Sequence, residues 1–415
     1  MAPSAPLLLL AVLCASALTT VPALTCGTTP LRLVRAPASW VAVDTWFDSF
    51  RGRLHASFGV ADASAPGTGT AFYSFTDGGA WSAPAALSAQ RVNLTGGERG
   101  PRLAAGPNGA LSVAWTDAEG APGGACARVA RSTDGGATWA PPVAAVCLAG
   151  ADGVSVAAGT YVVPMLVVAL HAPNASRGGA RTATYAMSLD GGATWAPPVA
   201  FAAPAAPPAA AGSRARARFD ADTGRLYFSY AAATAAGGNT SVWLLTGNAR
   251  GNDFSAVRVD GAAAGGGGRG AGGGGGGGDG SGSDGGGGPE LTQDVRTHAA
   301  DATNIVAFSR GAPGGSRVLF AAASAAPGSA FGAPVGTPAG EGGERWPTAV
   351  QARNGDALLL WSAPAANGSL AVHWACVPAG GNATAQGGSL GAAQQRPTAL
   401  ADGGEGGLLI VAGVA

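Results

Sequence analysis

The sequence contains no lysine and only two isoleucines, Ile305 and Ile410. Acidic and basic residues are equal in number, so the formal net charge is zero. A balanced surface offers no field to attract nucleic acid, and none is expected as a partner. Long hydrophobic stretches are missing too. The one apolar run, Leu7 to Val12, is too short to cross a bilayer, so no membrane span is expected. The four histidines, His55, His171, His298 and His373, are scattered singly without metal-ligand spacing. Neither a metal nor a cofactor is expected. What abounds is glycine, 70 residues, with 28 prolines, and that frequency leaves no room for a long helix. The fold class expected is all-β.

Residues 1–23 read as a secretion signal, with Leu7 to Val12 as its apolar core. Ala15-Ser16-Ala17 or Val21-Pro22-Ala23 supplies the small residues for cleavage. Sequons follow at Asn93, Asn174, Asn239, Asn367 and Asn382, each in a turn-like context that suits a glycosylated surface loop. Cysteine usage agrees with a secreted, extracellular protein. Loss of Cys14 with the signal leaves Cys26, Cys126, Cys147 and Cys376. Cys126 lies eight residues before Asp134, and Cys147 lies eight after Trp139. If the stretch between is a hairpin turn, the two stand opposite each other on paired strands, within reach of a disulfide. Cys26 and Cys376 are then the remaining pair. Four buried free thiols are the alternative, which fits an oxidising compartment less well.

The chain repeats itself. Ser132-Thr133-Asp134-Gly135-Gly136-Ala137-Thr138-Trp139 returns as Ser188-Leu189-Asp190-Gly191-Gly192-Ala193-Thr194-Trp195, and a worn copy stands at Thr76-Asp77-Gly78-Gly79-Ala80-Trp81. Asp77, Asp134 and Asp190 are 57 and then 56 residues apart. Even spacing of this kind marks a repeat architecture. Within the motif, Asp accepts hydrogen bonds from nearby backbone N–H groups and folds the chain back. The paired glycines supply φ > 0. Trp buries a large ring between neighbouring sheets while its N–H finds a partner. The form Ser-x-Asp-x-Gly-x-Thr-Trp, carried by Ser132, Asp134, Gly136, Thr138 and Trp139 and by Ser188, Asp190, Gly192, Thr194 and Trp195, resembles the Asp box, or bacterial neuraminidase repeat, of sialidase-like β-propellers. The resemblance implies a blade turn between third and fourth strands, away from the central binding face.

Four short strands per repeat fit that architecture. Pro101-Arg102-Leu103-Ala104, Ala110 to Trp115, Ala127 to Ala130 and Pro142 to Val146 make one unit. Second strands end at Phe58, Trp115, His171, Tyr230, Phe308, Trp361 and near Val411. The longest gap, between Tyr230 and Phe308, contains the glycine run 261–288. Such a composition cannot offset the entropy of ordering, and a disordered loop between blades is expected there. The last repeat stops after Leu408 to Val411, and Pro30 to Val34 is positioned to supply its missing edge. The expectation is one propeller over residues 30–415, of seven blades with six as the alternative, closed by both termini and monomeric.

A propeller binds on its axis, where the inner strands begin. Arg99, Arg214, Arg296, Arg345 and Arg396 fall at or near that point in successive repeats, with acidic neighbours Glu98, Asp294 and Glu344. A ring of guanidinium groups suits a carboxylate or sulfate on a sugar. The same repetition equally suits Glu–Arg pairs that fix the ring. In sialidases three arginines hold the substrate carboxylate, a Tyr paired with a Glu is the nucleophile, and an Asp is the acid/base. Arg99-Gly100-Pro101 is the nearest string to that family's first Arg motif. No tyrosine follows Tyr230, and Tyr73, Tyr161, Tyr185, Tyr227 and Tyr230 all fit core strand positions. Carboxylates for other glycosidase chemistry are available near the mouth at Asp44, Glu98, Asp152, Asp294 and Glu344. The function expected is binding of an extracellular glycan or protein at the central face; the alternative is a glycoside hydrolase of exo-α-sialidase type.

Overall fold

The computed structural model describes residues 25–412 apart from connections between strands, among them 95–99, 202–215, 261–290 and 394–397. The signal segment 1–23, the glycine run 261–288 and the sequons Asn174, Asn239, Asn367 and Asn382 lie outside the described residues. The described chain is almost entirely strand. It opens with β1 (Thr25–Cys26) and β2 (Thr29–Arg35).

A first sheet follows, made of β3 (Trp40–Asp48), β4 (Arg53–Ala61), β5 (Thr68–Thr76) and β6 (Ala85–Ala86), with β7 (Val92–Asn93) added to β5. The second is β8 (Arg102–Ala105), β9 (Leu111–Thr116), β10 (Ala125–Ser132) and β11 (Ala140–Leu148). The third is β12 (Asp152–Thr160), β13 (Pro164–Pro173), β14 (Arg181–Ser188) and β15 (Val199–Ala200). The fourth is β16 (Arg216–Asp220), β17 (Arg225–Ala233), β18 (Thr240–Asn248) and β19 (Ser255–Arg258). The fifth is β20 (Leu291–Arg296), β21 (Thr303–Ala312), β22 (Gly315–Ser324) and β23 (Val335–Gly336). The sixth is β24 (Arg345–Gln351), β25 (Ala357–Pro364), β26 (Leu370–Val377) and β27 (Gln386–Ala393). A closing sheet joins the termini in the order β1, β2, β29 (Leu408–Ala412), β28 (Thr398–Ala401), with β2 parallel to β29.

The innermost strand of each sheet packs beside the innermost strand of the next. The series runs β3, β8, β12, β16, β20, β24, β28 and returns from β28 to β3. This closed ring of radiating sheets is a β-propeller, and such closure leaves only short, protected sheet edges. The core is a set of layers between sheets. Leu103, Leu111 and Trp115 meet Ala71 and Tyr73 between the first and second sheets. Tyr185, Phe201 and Phe228 fill the space between the third and fourth. Alternation sends Tyr227, next to Phe228, the other way, onto Val306 and Phe308 of the fifth. Middle strands are therefore buried on both faces, which is why β9 and β25 read as near-continuous apolar runs.

Two local devices set the spacing at the axis. Inner strands β3 and β12 each bulge, at Ala42 (φ 52) and Gly153 (φ 62). After each bulge a polar side chain turns to the next inner strand. Asp44 Oδ2 accepts the Leu103 N–H at 2.9 Å, and Ser155 Oγ accepts the Ala217 N–H at 2.8 Å. The expectation that every sequon sits in a turn is corrected at Asn93, which lies in β7 opposite Thr68 of β5.

Candidate functional site

The turn at Asp134 is a closed hydrogen-bond unit. Ser132 Oγ donates to Asp134 Oδ1 at 2.7 Å and accepts the Gly136 N–H at 2.8 Å. The Asp134 carboxylate accepts the Thr138 N–H at 2.9 Å and its hydroxyl at 2.6 Å. Ser188, Asp190, Gly192 and Thr194 repeat every contact, with distances of 2.7, 2.6, 2.9 and 2.6 Å. The Thr138 and Ser132 hydroxyls and the Thr138 N–H hold Asp134 down to about 2, and the Thr194 and Ser188 hydroxyls with the Thr194 N–H lower Asp190 in the same way. Both carboxylates are saturated by their own turn, so they act as braces.

Each brace rests on the preceding sheet. Tyr73 of β5 donates its O–H to the Gly135 carbonyl at 3.3 Å, and its ring stands 4.8 Å from that of Trp139. Gly136 lies against the hydroxyl end of Tyr73, where a Cβ would collide. One sheet on, Arg131 of β10 donates to the Gly191 carbonyl at 3.3 Å. The tryptophans depart from expectation in one respect. Trp81 Nε1 donates to the Arg35 carbonyl at 3.1 Å, but the Nε1 atoms of Trp139 and Trp195 are buried without a partner. Their rings contribute apolar packing alone.

The cysteine expectation holds where it is described. Cys126 of β10 is paired in register with Cys147 of β11 and disulfide-bonded to it, with a Cα–Cα distance of 4.1 Å. Cys376 is also disulfide-bonded. The Cys26 side chain lies outside the described residues, although β1, which carries it, packs against β26, which carries Cys376.

Arg345 is the first residue of inner strand β24. Arg296 does not hold that place on its own strand. It ends β20 opposite Thr303, at the far end of the inner strand, and Asp294 sits mid-strand opposite Ile305. Repeat spacing alone puts Arg296 near the start of the strand, whereas the pairing of Leu291 with Phe308 sets the register. Glu98, Arg99, Arg214, Glu344 and Arg396 lie outside the described residues, as do the side chains of Asp294, Arg296 and Arg345. Asp44 is corrected from a mouth carboxylate to a clamp, since it accepts the Leu103 N–H and, at 3.2 Å, the Thr45 N–H. The side chain of Asp152 is not among those described.

Register adds two arginines that residue spacing missed. Arg102 and Arg216 each precede the inner-strand residue held by the previous sheet, and so occupy equivalent places on β8 and β16. Arg102 is buried. Only the shared bulge-and-clamp contact, invisible in sequence, aligns them.

Tyr73, Tyr185, Tyr227 and Tyr230 are all at or below 6% exposure, inside the layers between sheets. Burial raises the Tyr73 and Tyr185 hydroxyls above their ordinary value. Tyr161 lies outside the described residues. Among the described residues no group of three or more His, Cys, Asp or Glu is placed to hold a metal ion, and no helix is long and apolar enough to cross a membrane.

No protein-family model matches the chain, and no curated protein does. Solved structures similar to it include an α-L-arabinofuranosidase from Fusarium graminearum, with TM-score 0.48, 13% identity, and coverage of 82% of this chain and 93% of that one. The NanB sialidase from Streptococcus pneumoniae gives TM-score 0.47 and 10% identity, covering 78% of this chain and 65% of its own. The fungal lectin from Aleuria aurantia, a six-bladed propeller that recognises fucose, gives TM-score 0.46 and 13% identity over 85% of this chain and 95% of the lectin. At these values no residue role passes from them to this chain.

Proposed function

We propose that this chain is a secreted, N-glycosylated Asp-box propeller that binds an extracellular glycan or protein at its axial face without turning it over. The seven sheets and their closed series of inner strands support seven blades. The observation that carries the binding reading is the occupation of the catalytic residue types among the described residues. Four tyrosines are sealed in the layers between sheets, and Asp44 is committed to backbone N–H groups. A sialidase needs a tyrosine hydroxyl and a carboxylic acid free to meet the sugar. The ligand contacts fall to the arginines that repeat spacing assigns to the mouth, Arg99, Arg214, Arg345 and Arg396, which suit an acidic sugar by bidentate pairing. Arg296, at the far end of its strand, drops out of that set.

A glycan array and a fluorogenic sialoside assay on the purified protein test this together. Binding without release of the aglycone is expected, and Arg345→Ala is expected to weaken binding about tenfold or more, as loss of a charge-assisted hydrogen bond does. Release of the aglycone by the wild-type protein would establish the hydrolase instead.

A further inference from the structure

His55 of β4 is 1% exposed, and its Nδ1 lies 2.6 Å from the Tyr73 hydroxyl. That hydroxyl already gives its proton to the Gly135 carbonyl of the second sheet. We assign the ring hydrogen to Nδ1, the tautomer that leaves no N–H at the unpartnered Nε2, and a relay then runs from imidazole to phenol to the neighbouring turn. The consequence falls on Nε2. It has no partner, and the rings of Trp46 and Phe75 lie 5.4 and 6.5 Å from the imidazole. Neutral imidazole leaves only an unused lone pair there. Protonation would place a positive N–H in an apolar setting with no acceptor.

We propose that His55 and Tyr73 form an acid-sensitive clasp between the first two sheets, which holds the Asp134 turn closed at neutral pH and weakens in mildly acidic surroundings. The charged groups around the clasp do not rescue the cation. Asp48 of β3 is paired with Arg51 at 2.8 Å, and Asp77 is paired with Arg53 at 2.6 Å. Arg53 itself stands 4.1 Å from the centre of the Phe75 ring. From the second sheet, the Asp134 carboxylate is engaged with Ser132 and Thr138. Burial, opposed by Asp48 and assisted by Arg53 and Arg51, brings His55 down to about 4. Because the unfolded value is higher, near 6.5, the clasp is fully favourable above that value and loses strength as pH falls from it toward 4.

The second copy of the turn supplies an internal control. Gly192 rests on Arg131 and Leu166, with no imidazole in the contact. Hydrogen–deuterium exchange of residues 132–139 and 188–195 is measured at about pH 7 and about pH 5 and corrected for intrinsic chemical exchange. Opening of 132–139 is expected to rise roughly twentyfold, with 188–195 unchanged. An equal rise in both segments, or none in 132–139, would overturn the clasp. His55→Gln is expected to abolish the difference between the two pH values. Should that variant not fold, the imidazole of His55 in the wild-type protein is titrated by NMR. A midpoint well below 6.5 supports the clasp, and one at or above 6.5 overturns it.

Discussion

Asp134 and Asp190 show how a fully exposed carboxylate can still be structural. Each gathers an N–H and two hydroxyl hydrogens that belong to its own turn, so the charge organises about eight residues rather than a ligand. Lowered folded values mean the stabilisation is present above the ordinary carboxylate range and is lost as pH falls toward about 2. Asp134→Ala is therefore expected to lower the melting temperature by a few degrees near neutral pH, with the gap to wild type closing as acid protonates Asp134. A constant gap, followed by calorimetry down to about pH 2, would contradict this. At this scale the sequence was informative, because Ser, Asp, Gly and Thr at fixed offsets specify a local hydrogen-bond unit. The loss of partners at Trp139 and Trp195 Nε1 was not readable, since it depends on which sheet the ring faces.

At the scale of the element, the inner strands carry the spacing of the ring. Gly100 approaches Ala42 of the neighbouring sheet so closely that an added Cβ would overlap the Ala42 methyl. Ala42 meanwhile holds φ 52, a conformation costing an L-residue roughly 1–2 kcal/mol. Gly100→Ala is expected to cost about 1–3 kcal/mol through overpacking. Adding Ala42→Gly should restore much of it, by opening space and relieving the backbone; chemical denaturation of the single and double variants reads the coupling directly. Additive losses would show that the two residues do not meet. The presence of a strand at Pro142 to Val146 was legible from composition, although β11 runs two residues further at each end, from Ala140 to Leu148. Inner-strand register was not, and Arg296 was misplaced for that reason, since only pairing with Thr303 reveals which end of β20 it occupies.

Across the whole molecule, closure joins residues at opposite ends of the chain. β2 runs parallel to β29, a pairing that needs both termini in one sheet. We infer that Cys376 takes Cys26 as its partner, since β1 packs against β26. Peptide mapping without reduction is expected to recover a peptide linking Cys26 and Cys376. Cys376→Ser is expected to lower stability by on the order of 5 kcal/mol, because the loop closed is nearly the whole chain. Recovery of Cys376 with any other cysteine would refute the pairing.

The sequence by itself determined the repeat, the four-strand unit, the turn chemistry at Asp134 and Asp190, and the Cys126–Cys147 bridge across a hairpin. All of these rest on residues close together in the chain, where composition and offset are the physics. Only the tertiary structure decided that Asp44 clamps Leu103, that Arg102 and Arg216 are equivalent, and that His55 reaches Gly135 through Tyr73. Those contacts lie between sheets, and their partners are chosen by the angle at which one sheet packs on the next, a quantity no short stretch of sequence contains.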